Sequence, residues 1–226
     1  MPKPTFFNLP AVKRERIVAL AIDEFSGRSF REASLSRIVA RAGIAKGSMY
    51  QYFDNKLDLY RWLIIEELAR RKAEFLGARS ASPDADFFAQ IRAMIRAGIE
   101  FFLVEPRLSR IAAALLDGSS DPGLRELHAE VRGMGTAVFV EFLGRARARG
   151  EIRADLDLEV LARLVSVVLG VGLSDVTLSR LGVDMGGFLA DPQLASRLSD
   201  EDINGLIEEV IAFVRGGLLG VGGGVQ

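Results

Sequence analysis

Residues 34–56 read SLSRIVARAGIAKGSMYQYFDNK, from Ser34 to Lys56. The stretch breaks into two short amphipathic pieces at Gly43, the plan of a helix-turn-helix. The first piece runs from Ser34 to Ala42 and the second from about Ala45 to Phe53. At 100° per residue, Ala45, Met49 and Phe53 form one stripe that can pack on Ile38, Ala42 and Ile44. Gly47, Ser48, Tyr50 and Gln51 fall on the opposite face, with Tyr52 at its rim. That outward face carries many hydrogen-bonding groups, little charge, and a glycine that admits close approach, as a helix reading a major groove requires. Lys46 and Lys56 stand at the first turns of this helix and the next. Both are placed for phosphate, alongside the backbone N–H groups of the helix starts.

Working outward, the preceding helix is expected from Pro10 to about Phe25, with Ile17, Leu20, Ala21 and Phe25 on one face. A longer helix begins near Asn55–Lys56 and runs to about Leu76. Ser82-Pro83 reads as an N-cap followed by proline at the first helical position, opening a helix that Pro106 ends or kinks. Asp121-Pro122 repeats that signal ahead of a long helix closed by Gly150. The next starts at Asp155 or Asp157 and runs to about Leu181. Asp200, Glu201 and Asp202 load the first turn of the last helix, which Gly216 and Gly217 end, leaving a glycine-rich tail expected to be disordered. The fold class is therefore all-α, with about nine helices and neither strand nor repeat. Gly182–Leu198 is the one long connection, read as a flap or a further helix.

Composition narrows the chemistry. The formal net charge of −1 averages two unlike parts: residues 1–56 hold ten Lys/Arg against five Asp/Glu, and the remainder 19 against 25. A basic N-terminal segment points to nucleic acid. There is no cysteine and one histidine, His128, so thiolate chemistry is excluded and a metal site or Ser-His pair has little to draw on. No metal and no cofactor are expected, and an enzyme on a helical scaffold is a poor alternative. A helical sensing or scaffold protein without DNA binding is the other. Nothing at the start resembles a secretory signal, and apolar stretches such as Leu164–Leu173 fall short of the roughly 20 residues that span a bilayer. A cytoplasmic protein without membrane contact is expected.

The motif resembles that of the TetR family of bacterial regulators. The residues carrying the likeness are Ser34, Ile38-Val39, Ala42-Gly43-Ile44, Lys46-Gly47-Ser48-Met49-Tyr50-Gln51-Tyr52-Phe53 and Lys56, with Arg16-Ile17 and Phe25 before them. It covers about a fifth of the chain. Two positions depart from the pattern: Ala45 replaces the usual Ser/Thr cap, forfeiting roughly 1 kcal/mol, and Ser29 stands where a glycine is common. The resemblance implies a DNA-binding domain at residues 1–56 and a ligand-binding and dimerisation domain at 57–226. It places Lys46, Gly47, Ser48, Tyr50 and Gln51 at base edges or adjoining backbone, and Ser34, Tyr50, Tyr52 and Lys56 on phosphates. It also implies a repressor that binds a pseudo-palindromic double-stranded operator as a homodimer and is released by a small apolar or amphipathic effector, such as an acyl-CoA or an aromatic compound.

The effector cavity it implies lies among the fourth to seventh helices, where Phe88, Ile91, Arg92, Ile95, Phe102, Leu115, His128, Val131, Met134 and Val138 are the candidates. An Arg or His among them would suit a carboxylate or phosphate, though each on its own is more often a surface or salt-bridged residue. The last two long helices are apolar on two sides, which favours a subunit interface. Leu161, Val165, Val168, Gly172, Ile203, Ile207, Val210 and Val214 are its expected residues.

Overall fold

The computed structural model describes residues 1–219 apart from 46, 80, 83 and 117–120. Lys46, Pro83 and the C-terminal tail therefore lie outside the described residues. Every regular element among those described is helical: α1 (Pro4–Phe7), α2 (Ala11–Ser26), α3 (Leu35–Ala42), α4 (Ser48–Tyr52), α5 (Lys56–Trp62), α6 (Ala69–Gly77), α7 (Phe87–Val104), α8 (Pro106–Leu116), α9 (Pro122–Ala148), α10 (Leu158–Val167), α11 (Leu173–Leu181), α12 (Met185–Ala190) and α13 (Asp200–Leu218). π turns at Leu63–Leu68 and Val168–Gly172 join α5 to α6 and α10 to α11, so each pair is one helix with a local widening. Counted that way the nine expected helices are present, and α1 and α12 are additional.

Packing divides the chain into two compact units. One comprises residues 1–73 and 105–130, the other 74–104 and 131–226. In the first, α2 buries Ile17, Val18, Ala21, Ile22 and Phe25, with Leu20 half-exposed. Phe25 and Phe30 hold the ring of Tyr60 at 5.0 and 5.1 Å, and its hydroxyl donates to the Ile111 carbonyl at 3.2 Å. Burial of that phenol pushes its pKa up to about 12.

One charged side chain sits inside this unit. Glu24, 1% exposed, lies on the apolar face of α2, three residues after Ala21. It accepts from the Ser34 backbone N–H at 2.8 Å, from the Arg37 guanidinium at 2.6 and 2.8 Å, and from Arg28 at 3.2 Å. The start of α3 is thus tied to α2 through a carboxylate. α3 ends at Gly43, whose φ of 67° is open to glycine at little cost. Its N–H bonds Ala40 and that of Ile44 bonds the Val39 carbonyl at 3.3 Å, a Schellman stop.

The second unit has one main core. Phe87, Ile91, Ile95 and Ile99 line α7 at intervals of four and meet Phe142, Leu143 and Ala146 of α9, Ala162 and Val165 of α10, Leu173 of α11, and the Ile203–Leu218 face of α13. Fully burying each such side chain contributes about 1.5–3 kcal/mol. α7 starts at Phe87 rather than at Ser82-Pro83 because Asp86 takes the cap, accepting from the Ala89 N–H at 2.9 Å. Ser82 instead bonds the Asp84 N–H at 3.3 Å in a turn. The expected acidic first turn of α13 is present, inside a capping box between Ser199 and Asp202. The helix continues through Gly216 and Gly217 to Leu218.

The connection at 182–198 is ordered as α12 and a 3-10 turn at Pro192–Arg197. Phe188 stacks on Phe102 at 5.2 Å, with Leu178 and Leu194 around the pair.

The Glu24 cluster can be tested by pH. Burial raises the carboxyl pKa, but the bonds from Arg37 and Ser34 and the charges of Arg37 and Arg28 outweigh it and hold it below the ordinary 4.5. Its contribution is therefore present above that ordinary value and lost as pH falls through the depressed one. Glu24→Gln should cost about 1.5–3 kcal/mol at pH 7, and the gap from the parent should shrink below about pH 4.5. Denaturant titrations at pH 7 and pH 3 measure this. An equal gap at both would show that the charge is not what stabilises the junction.

Candidate nucleic-acid interface

The second helix of the motif is shorter than its sequence suggests. The Ser48 N–H donates to the Ala45 carbonyl at 2.9 Å, and α4 begins only at Ser48. Ala45 consequently stands exposed instead of joining the packed stripe. Met49 and Phe53 are fully buried as expected. Outward, Tyr50 is 52% exposed, Gln51 and Gly47 are exposed, and Ser48 is half-buried. A Cβ placed on Gly47 would meet nothing within 4 Å, so the packing around it does not require a glycine there. Gly47, Tyr50 and Gln51 thus offer two side chains and a bare stretch of backbone to solvent.

Ser34 occupies the N-cap position of α3 but makes no side-chain capping bond; its backbone N–H serves Glu24 instead. Two expected phosphate contacts are corrected. Lys56 turns inward: its Nζ donates to the carbonyls of Phe30 at 2.6 Å, Ala33 at 2.9 Å and Arg31 at 3.2 Å, and sits 4.6 Å from the Phe30 ring centroid. An ammonium has three donors, and all three close the turn between α2 and α3. The Tyr52 ring is buried against Phe6, their centroids 6.0 Å apart. Several other cations are also internally paired, Arg28 and Arg37 with Glu24 and Arg41 with Asp23 at 2.6 Å. The basic N-terminal segment is therefore partly structural.

Glu24 was not singled out from the sequence, although a carboxylate at i+3 from Ala21 and i+7 from Ile17 interrupts an apolar stripe. That interruption is the signal that marks it.

The residues expected to line an effector cavity do not converge within either unit. In the second, Ile91 and Ile95 fill the closed core, Phe102 belongs to the cluster around Phe188, and Phe88 lies under the Arg215 guanidinium at 4.5 Å. Arg92 pairs with Glu208. Val131 is half-buried, whereas Met134 and Val138 are exposed on α9. Leu115 and His128 belong to the first unit. A small apolar cavity of about 170 Å³ lies elsewhere in the second unit, between Leu76, Ala81, Ala93, Met94 and Ala97, with Arg79 and Gln90 on its wall.

Most residues expected at a dimer interface are covered by the chain's own packing. Val165, Ile203, Ile207 and Val214 are buried in their own subunit, and Leu161 and Val210 pack against the same core. Val168 and Gly172 lie in the π turn, half-buried. The exposed apolar residues on these helices include Val160, Leu164, Val167 and Val171, spaced 4, 3 and 4 apart, together with Val176 and Phe213. The sequence pattern shows two apolar sides but not which one the chain itself covers. Among the described residues, no group of three His, Asp or Glu could hold a metal ion.

Comparison with known proteins bears on this arrangement. Residues 17–62 match the family model for bacterial regulatory proteins of the tetR family, and residues 81–173 match a tetracyclin repressor-like C-terminal domain. A solved TetR family transcriptional regulator from Chloroflexus aurantiacus is 33% identical, with 96% of this chain and 98% of that one covered and a TM-score of 0.73. The HTH-type transcriptional repressor BepR of Brucella suis is 26% identical over 181 residues, 77% of this chain and 85% of BepR. FadR of Bacillus subtilis, solved in complex with stearoyl-CoA, shares the fold at 16% identity, with 88% and 97% covered and a TM-score of 0.66. Matched in both its motif and its helical remainder, and sharing a third of its residues with a solved member across nearly its whole length, the chain belongs to the TetR family of bacterial regulatory proteins.

Proposed function

We propose that the chain is a transcriptional repressor, acting as a homodimer in the cytoplasm, that binds operator DNA through α3 and α4 and releases it on binding a small apolar or amphipathic molecule. The observation that carries the reading is the outward edge of α4: Tyr50, Gln51 and Gly47 face solvent while Met49, Tyr52 and Phe53 anchor the helix from behind. Such an edge, placed in a major groove, reads bases by hydrogen bonds. Two of them in a dimer would address half-sites about 34–36 Å apart, or a multiple. The reading makes the protein a binder of DNA and effector rather than an enzyme.

A second copy is the proposed cover for the exposed face of the Leu158–Leu181 helix. By length and composition that helix could cross a membrane. Its other face, however, is committed to the core through Ala162, Val165, Leu173 and Leu178, and Arg163, Asp175 and Arg180 are exposed on it. A soluble partner with the same apolar stripe suits both facts.

For the effector, the apolar cavity at Ala93 and Ala97 is the proposed starting point. At about 170 Å³ it is smaller than the usual ligand site of roughly 300–1,000 Å³. A ligand larger than a single ring would have to open it, and any ligand shifts DNA affinity only by its preference for one state of the protein.

Three outcomes are expected. Tyr50→Ala and Gln51→Ala should each weaken binding to DNA taken from upstream of the protein's own gene by about 5- to 100-fold, with the melting temperature unchanged. Unaltered affinity in both would place the reading face elsewhere. Leu164→Glu with Val167→Glu should sediment as a folded monomer, because Leu164 is 59% exposed in the subunit. Ile207→Glu should instead unfold it, since that side chain is 1% exposed; a dimer surviving the first pair would move the interface. Ala93→Leu, which narrows the cavity at a cost of about 1–3 kcal/mol if overpacked, should keep operator binding and lose the response to any compound that shifts the parent's melting temperature. A full response in that variant would locate the effector elsewhere.

A further inference from the structure

A helix of five residues does not hold itself together. Helices shorter than about 12–15 residues are marginal in water even with favourable composition, and the last four carbonyls of any helix lack partners within it. No side chain caps the start of α4, where Gly47 occupies the cap position. Its other end is different. The Met49 carbonyl accepts from the Phe53 N–H at 2.9 Å, and the next three accept from a segment nearly fifty residues away. Tyr50 O accepts from Lys3 Nζ at 2.8 Å, Gln51 O accepts from the Thr5 hydroxyl, and Tyr52 O accepts from the Lys3 backbone N–H at 2.8 Å. Lys3 Nζ also pairs with Asp54 at 2.8 Å, just past the helix. A cation at that end is favoured by the helix dipole as well.

The donors are held in place by an aromatic anchor. Phe6 is fully buried, with its ring 4.9 Å from Phe53 and 5.1 Å from Trp62, and against Tyr52. Pro4 at the start of α1 fixes the backbone between Lys3 and Phe6. The Lys3 and Thr5 bonds join the arm to the turn that presents Tyr50 and Gln51 to solvent, and the Phe6 ring packs behind it.

We propose that Lys3, Thr5 and Phe6 are positioning residues for DNA recognition, forming an external C-cap that orders α4 before it meets its operator. The proposal rests on the reading of α4 as the DNA-contacting helix. Without the cap, the backbone of Tyr50–Tyr52 frays and sequence-specific binding loses its preformed surface, while general attraction to phosphate persists.

The test uses full-length Thr5→Val, Lys3→Met and Lys3→Arg, with operator affinity measured over a salt series and hydrogen exchange followed in peptides covering residues 48–53. Thr5→Val changes no charge. It should weaken operator binding about three- to tenfold, leave the slope of log K against log salt and the affinity for unrelated DNA as in the parent, and speed exchange at Tyr52 and Phe53. Lys3→Met should do likewise, and Lys3→Arg should restore binding, since a guanidinium can still reach Tyr50 O. Parent-like affinity and exchange in Thr5→Val would overturn the proposal. So would an effect confined to Lys3→Met with the salt slope reduced by about 0.9, because Lys3 would then be a phosphate contact and not a cap. Should the parent bind no DNA, the reading of α4 fails, yet exchange still decides the cap: faster exchange in Thr5→Val upholds it and unchanged exchange removes it.

Discussion

A helix-turn-helix made of an eight-residue and a five-residue helix has too little apolar surface to fold by itself, so its geometry must be imposed from outside. Glu24 imposes much of it. A carboxylate withdrawn from water is costly unless its lone pairs are filled, and here the Ser34 N–H, the Arg37 fork and Arg28 fill them. The angle at which α3 leaves the turn follows from that demand. Lys56 acts from the opposite direction, gathering the carbonyls of residues 30, 31 and 33 beneath one ammonium. An anion organises donors and a cation organises acceptors within the same turn, and the apolar packing of Phe25, Phe30 and Tyr60 fills the space between.

This explains which parts of the site could be read from sequence. Period and punctuation report faces and ends, so the motif, the buried Met49 and Phe53, the outward Tyr50 and Gln51, and the Gly43 stop were all legible. Periodicity cannot tell whether a lysine at a helix start reaches out to phosphate or back to its own loop, because both leave the same spacing; Lys56 takes the second course. Tyr52 sits at the rim on a helical wheel, and what buries it is Phe6, whose approach depends on a tertiary contact 46 residues away in sequence.

In the second unit the same limit recurs on a larger scale. The two apolar sides of 158–181 and 200–218 are evident from their sequence pattern. Which side meets the chain's own core is set by partners on α7 and α9 that local pattern does not reveal. From sequence, 182–198 stays open between a flap and a further helix for a local reason: Gly186 and Gly187 lie in the first turn of α12, and glycine costs about 1 kcal/mol against alanine in a helix. Phe188 buried against Phe102 offsets that penalty.

The π turn at Val168–Gly172 sets the phase of the helix around it. Ala162 and Val165 face inward before it, Leu173 and Thr177 after it. In an unbroken α-helix at 100° per residue, the step from Val165 to Leu173 turns the side chain about 80° off that direction. With one residue looped out, the step falls back to within about 20° of it. The turn thus absorbs a surplus residue that the rest of the helix has no place for. Deleting one residue inside 168–172 would restore a continuous α-helix there and still leave both halves of the inward face turned toward the core.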